Sequence, residues 1–127
     1  MELRRLDHVQ LAMPAGREDD AVAFYQGLLG LPQVPKPAPL ATRGGCWFEK
    51  EDLRLHLGVD PDFRPARKAH PALLVRGLAG LADRLRAAGV PTVDGEQNGD
   101  ERRVYVDDPF GNRVELLERG DRLIGPQ

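Results

Sequence analysis

Apolar and polar residues alternate along several short runs of the chain. They recur every three to four residues in two longer runs, and this order occurs twice. Residues 6–13 read as a strand, with Val9, Leu11 and Met13 on one face and His8 and Gln10 on the other. A helix follows from about Asp20 to Leu29, where Ala21, Phe24, Tyr25 and Leu28 form a single stripe. Glu18, Asp19 and Asp20 favour its positive end, and Gly30 then Pro32 stop it. Residues 69–76 read as a second such strand. A second helix follows from about Leu78 to Ala88, with its stripe on Leu78, Leu81, Ala82 and Leu85. Gly89 and Pro91 end it in the same way, 59 residues after the first stop. Each helix is followed by a hairpin pattern: residues 45–50 with 53–59, then 102–106 with 113–118. The stretches 32–44 and 91–101 are loop-like, each with room for one short strand.

The pattern therefore predicts strand, helix and two or three strands, performed twice. Module one covers about residues 3–59, a linker about 60–69, module two about 70–118 and a tail 119–127. The expected class is α+β, a single domain of two βαβββ modules. A chain of 127 residues suits one domain. A formal charge of −2 argues against a nucleic-acid or membrane-surface binder, and no apolar run is long enough for a membrane span. The N-terminus lacks the apolar stretch of a secretory signal, so a cytoplasmic location is expected. Cys46 is the only cysteine, which excludes an internal disulfide or a cysteine-based zinc cluster.

The chain has three histidines, and all fall at repeat-equivalent places. His8 is in the first strand of module one, and His70 opens the first strand of module two. His56 is in the last strand of module one, 48 residues after His8. Glu115 takes the matching place in module two, 45 residues after His70. Alternation puts His56 opposite Leu55 and Leu57, and Glu115 opposite Val114 and Leu116, so all four point away from the helix-covered faces. A lone histidine on a strand is usually structural. Four potential ligands at equivalent positions make a metal site the better expectation. Imidazole and carboxylate donors suit iron, zinc, nickel, cobalt or manganese.

With these residues in view, the chain resembles the vicinal oxygen chelate superfamily, which includes glyoxalases, bleomycin-resistance proteins and extradiol dioxygenases. The residues that carry the resemblance are Leu6-Asp7-His8-Val9, Ala23-Phe24-Tyr25 with Leu28-Leu29-Gly30-Leu31, His70, and Tyr105-Val106-Asp107-Asp108-Pro109-Phe110-Gly111-Asn112-Arg113-Val114-Glu115. The resemblance implies a cupped mixed sheet holding one divalent metal per site and a small-molecule substrate with neighbouring oxygens. It also implies a homodimer in which His8 and His56 of one chain meet His70 and Glu115 of the other. His8, His70 and Glu115 match the shared ligand positions. His56 is a fourth ligand or an acid/base, Glu115 doubles as a catalytic base, and Tyr105 is a hydrogen-bond donor behind the ligands.

Three activities remain open on the sequence. Glyoxalase I-like enzymes usually carry glutamate at the position of His56, so the glyoxalase-like reading leaves the substrate undefined. Extradiol ring cleavage with iron(II) matches Tyr105 through Glu115, but its signature needs a histidine shortly before Val104, where Glu96, Gln97 and Asn98 stand. Bleomycin-resistance-type binding without catalysis is the third reading. Arg54, Arg103 and Arg113 are candidates for binding an anionic substrate, and Trp47 and Phe110 for aromatic walls.

Overall fold

The alternating runs become strands and the helical stripes become helices in the computed structural model, which describes residues 1–120. The chain divides into two compact units, Met1–Ala66 and Arg67–Gln127, and the division falls inside the predicted linker. The predicted tail lies outside the described residues from 121 onward.

Unit one begins with β1 (Val9–Met13) and continues with α1 (Glu18–Ala21), which runs into a π-helical stretch, Val22–Leu28. Then come β2 (Gln33–Val34), a 3-10 turn at Ala38–Leu40, β3 (Cys46–Lys50) and β4 (Leu53–Val59). The sheet order is β1-β4-β3-β2. β1 runs parallel to β4, with Val9 beside Leu55 and Gln10 beside His56, and the other pairs are antiparallel. The apolar face packs Leu11, Met13, Phe48, Leu55 and Leu57 against Phe24 and Tyr25. Burying each such large side chain favours the fold by about 1.5–3 kcal/mol over leaving it exposed.

The first helix is the main departure from the predicted elements. A single α-helix over Asp20–Leu29 is expected. The structure instead has one α turn followed by wider winding, in which the Leu29 N–H donates to the Phe24 carbonyl, five residues back, at 3.0 Å. The wider turn accompanies burial of two adjacent aromatics, Phe24 and Tyr25, packed edge to face at 4.9 Å. Cys46 is buried under this helix, where burial, with the Glu18 charge adding to it, pushes its thiol above the ordinary value.

Unit two repeats the plan with β5 (Ala72–Leu74), α2 (Leu78–Ala87), β6 (Val93–Asp94), β7 (Arg102–Asp107) and β8 (Arg113–Glu118). Its order, β5-β8-β7-β6, again sets the first strand parallel to the last. Val104, Val106, Val114 and Leu116 pack with Leu78, Ala82 and Leu85. Gly30 and Gly89, the paired stops, both take left-handed backbone, with φ of +76° and +84°. No side chain near the start of α2 caps it. The carboxylate of Glu118 does so from β8, accepting the Gly77 and Leu78 N–H groups at 2.9 and 3.0 Å.

Both first strands are shorter than the patterns over 6–13 and 69–76 predict. His8 stands one residue before β1, and His70 stands two before β5. At the second of these, Pro71 has no N–H to extend the ladder, although its carbonyl still accepts the Glu115 N–H at 3.0 Å.

Candidate functional site

In unit one, β4 lies between β1 and β3, so a side chain on its polar face has a neighbour on either side. His56 is only 4% exposed on that face. The Trp47 indole, its direct cross-strand partner on β3, stacks on it at 3.9 Å with planes 2° apart. His8 stacks on it at 4.6 Å and 23°. His56 Nε2 lies 2.8 Å from Glu49 Oε2. Glu49 was not singled out from the sequence. Alternation along β3, which places Trp47 and Glu49 opposite Cys46 and Phe48, is the signal that would have found it.

His8 is more exposed, and its Nδ1 is 3.0 Å from Asp7 Oδ2. Arg54 donates to the Asp7 carbonyl at 3.4 Å and lies 3.7 Å from its carboxylate. The hydrogen bond to His8, assisted by the Arg54 charge, holds the Asp7 carboxyl below its usual value. The His8 ring is thus oriented through Nδ1, with Nε2 left over.

In unit two, His70 is oriented the same way. Its Nδ1 donates to the Lys68 carbonyl at 2.7 Å, and its Nε2 faces Glu115 Oε1 at 2.9 Å. The other oxygen, Oε2, accepts from Arg103 Nη1 at 3.0 Å. Glu115 is 6% exposed, so this carboxylate is buried but fully engaged. Arg103 also donates to Glu101 Oε1 at 2.9 Å, while its buried Nε has no hydrogen-bond partner among the described residues. Tyr105 is the cross-strand partner of Glu115 and presents its ring edge-on to His70 at 5.7 Å.

The turn before β8 explains why Glu115 sits where it does. Asp108 Oδ1 accepts the N–H groups of Phe110 and Asn112, both at 2.9 Å, and Asn112 Nδ2 donates to Asp108 Oδ2 at 3.0 Å. Asp108 and Asn112 are both buried, so the motif Asp108-Pro109-Phe110-Gly111-Asn112 is tied by a buried polar network. It fixes the register at which β8 starts and so the face on which Glu115 lies.

Each unit therefore brings together two of the four predicted donors, His8 with His56 and His70 with Glu115. Among the described residues no group of three or more His, Cys, Asp or Glu side chains is arranged to hold a metal. Of the residues predicted to bind substrate, Trp47 and Arg54 belong to unit one and Arg103, Phe110 and Arg113 to unit two. Arg103 is committed to Glu101 and Glu115, and Arg54 to Asp7. Phe110 is buried in the turn. Arg113 lies over the Tyr105 ring at 5.3 Å and lines a cleft of about 220 Å³ with Val93 and Tyr105. Trp47 is half-buried and walls a separate cavity in unit one.

Comparison with known proteins agrees with this fold. The family model for the Glyoxalase/Bleomycin resistance protein/Dioxygenase superfamily matches residues 5–116. A protein from Bacillus anthracis described as a glyoxalase family member is 41% identical, with 94% of this chain and 98% of that one covered and a TM-score of 0.89. A glyoxalase/dioxygenase from Nostoc punctiforme, 19% identical, shares the fold at a TM-score of 0.76 over 93% of this chain and 92% of its own. So does the fosfomycin resistance protein FosX of Listeria monocytogenes, 16% identical, at 0.74 over 95% and 98%. No curated protein matches the chain. With two strand–helix–strand repeats of one topology and a family match across 112 of its residues (5 to 116 inclusive), the chain belongs to the glyoxalase/bleomycin resistance protein/dioxygenase superfamily.

Proposed function

We propose that the protein is a divalent-metal-dependent enzyme acting on a small substrate with neighbouring oxygens. In this reading His8, His70 and Glu115 are the ligands, and His56 with Glu49 is an acid/base pair. The observation that carries it is the way the three imidazoles are tied. His8 and His70 are each held through Nδ1 by an oxygen, Asp7 Oδ2 and the Lys68 carbonyl. Metal-binding histidines are commonly oriented through the far nitrogen in this way. His56 is tied differently: no Nδ1 hydrogen bond holds it among the described residues, its Nε2 lies against Glu49 rather than against a proposed ligand, and its ring is stacked on Trp47 and His8. That suits an imidazole that holds or moves a proton better than one that gives its lone pair to a metal.

The donor set fits a borderline divalent cation such as iron, zinc, nickel, cobalt or manganese. Such a cation supplies Lewis acidity to a substrate oxygen or a site for dioxygen. The protein's own contribution is separate. Arg103 anchors one Glu115 oxygen, so the carboxylate presents the other toward His70. Tyr105 and Arg113 wall the cleft beside it. Glu49 fixes the orientation of the His56 ring and accepts its proton, and the stacked rings exclude water from the imidazole faces. The ligands are completed across a homodimer, His8 of one chain joining His70 and Glu115 of a second.

Elemental analysis of the purified protein and of single His8→Ala and Glu115→Ala variants tests this. The expected result is stoichiometric metal in the wild type and little in either variant, with metal regained when the two variants are unfolded together and refolded as mixed dimers. Retention of metal by both variants would sink the ligand assignment. Absence of metal from the reloaded wild type would leave a small-molecule binding protein.

A further inference from the structure

A cavity of about 260 Å³ in unit one is lined by Gln10, Lys36, Arg43, Trp47, Leu57 and Gly58, with three neighbouring residues. Its charged lining residues are both cations, and no acid lines it. Lys36 Nζ donates to the Gly44 carbonyl, which leaves two of its three donors. Arg43 is exposed, and neither cation is in an ion pair among the described residues. Glu18 reaches the adjacent turn, but its Oε2 accepts the Gly45 N–H at 2.9 Å. The opposite wall is the Trp47 indole, which also stacks on the buried His56. Gln10, the ladder partner of His56, lays its amide over Gly58, where a Cβ would come within 2.7 Å of Nε2. The floor is thus one polar amide and aliphatic carbon, the wall is aromatic, and two cations stand at the side without anionic partners.

We propose that this cavity binds the oxyanion end of a small molecule, a carboxylate, phosphonate or phosphate. Lys36 and Arg43 hold the charge, the Gln10 amide donates to an oxygen, and the body of the molecule lies against Trp47. Guanidinium and ammonium groups bind such oxygens through charge-assisted hydrogen bonds. A neutral ligand would leave both charges unanswered. The volume lies below the roughly 300–1,000 Å³ of drug-sized pockets, which sets the size of the ligand as a small metabolite. The inference names the charged end of the substrate and rests on the proposed function for its link to catalysis. Binding itself needs no metal.

Trp47 is the only tryptophan in the chain, so its emission reads this cavity directly. The full-length protein, stripped of metal and dialysed, is titrated with phenylphosphonate, benzoate and neutral benzyl alcohol. The expected result is a saturable change with one or both anions and none with benzyl alcohol. The apparent Kd should rise about tenfold or more in Lys36→Met/Arg43→Met and by a smaller factor in Arg43→Met, whose exposed side chain the fold does not need. Phenylphosphonate alone would mark a phosphonate or phosphate ligand, and benzoate alone a carboxylate. No saturable change in the wild type, equal binding of benzyl alcohol, or an unchanged Kd in a folded double variant would overturn the proposal. Metal content is measured on the same preparations before stripping. Metal without an anion response defeats this inference alone, and an anion response without metal defeats the metal reading alone.

Discussion

His70 Nε2 and Glu115 Oε1 lie 2.9 Å apart, although 45 residues separate them in the chain. Arg103 holds the second oxygen of that carboxylate at 3.0 Å. With Glu115 as the proposed metal ligand, an Arg103→Leu variant should keep the fold and weaken metal binding about 10- to 100-fold, the usual cost of losing a group that orients a ligand. Competition with a chromogenic chelator reads this. Wild-type affinity in the variant would show that Arg103 serves only the Glu101 pair.

Glu118 acts as a cap supplied from a different element. The N–H groups of Gly77 and then Leu78 hold its carboxyl below the ordinary glutamate value. A carboxyl lowered by folding adds stability that is fully present above its unfolded value. That stability is lost as the pH falls through the lower, folded value. Glu118→Ala should cost about 1 kcal/mol at neutral pH, the usual value of a helix cap. The gap from wild type should narrow below pH 4.5. Urea unfolding at a series of pH values checks both the size and the direction.

Two glycines of the β4 region should respond differently to the same methyl group. At Gly45, φ is +88° and an added Cβ would lie 2.2 Å from the Leu57 carbonyl oxygen, a backbone atom that cannot move alone. Gly45→Ala should cost about 3 kcal/mol or more. At Gly58 the clash is with the end of the Gln10 side chain, which can swing away. Gly58→Ala should therefore cost under about 1.5 kcal/mol. Denaturation midpoints that came out equal would contradict this contrast.

Removing the Asp108 carboxylate would strip partners from the N–H groups of Phe110 and Asn112 and from the Asn112 amide. A buried group that loses a hydrogen-bond partner costs up to about 1–3 kcal/mol. Asp108→Ala should therefore destabilise unit two by about 3 kcal/mol or more. Hydrogen exchange should show lost protection across the β7–β8 turn, where Asp108→Asn, which keeps an acceptor, loses less.

Much of this architecture is legible in the chain. The period-two runs locate β3, β4 and β8 to within a residue, because each is flanked by turn residues and has one apolar face. The stripe over Leu78–Ala88 gives α2 for the same reason. The π-helical winding over Val22–Leu28 is not legible, since its apolar spacing also fits an α-helix and only the burial of adjacent Phe24 and Tyr25 separates the two. The strands at β1 and β5 read too long because an apolar pattern does not report where ladder partners end. Alternation puts His56 and Glu115 on polar faces, yet both are buried there. Pattern alone does not show that Trp47 and His8 roof one and Arg103 anchors the other. Glu49 illustrates the same limit: alternation along β3 gives its face, but its importance comes from a contact with His56, seven residues on across the hairpin.

In both sheets the last strand to be synthesised is an interior one. β4 lies between β1 and β3, and β8 lies between β5 and β7. A chain cut short before Arg113 would not merely lose an edge. It would separate β5 from β7, leaving β5 with no ladder partner and β6–β7 as the one remaining pair of the sheet. Neither unit can therefore build its sheet progressively as it leaves the ribosome, because its opening strand waits for its closing one. A stop or a proteolytic nick ahead of β8 would remove Glu115 and also the strand on which the rest of unit two assembles.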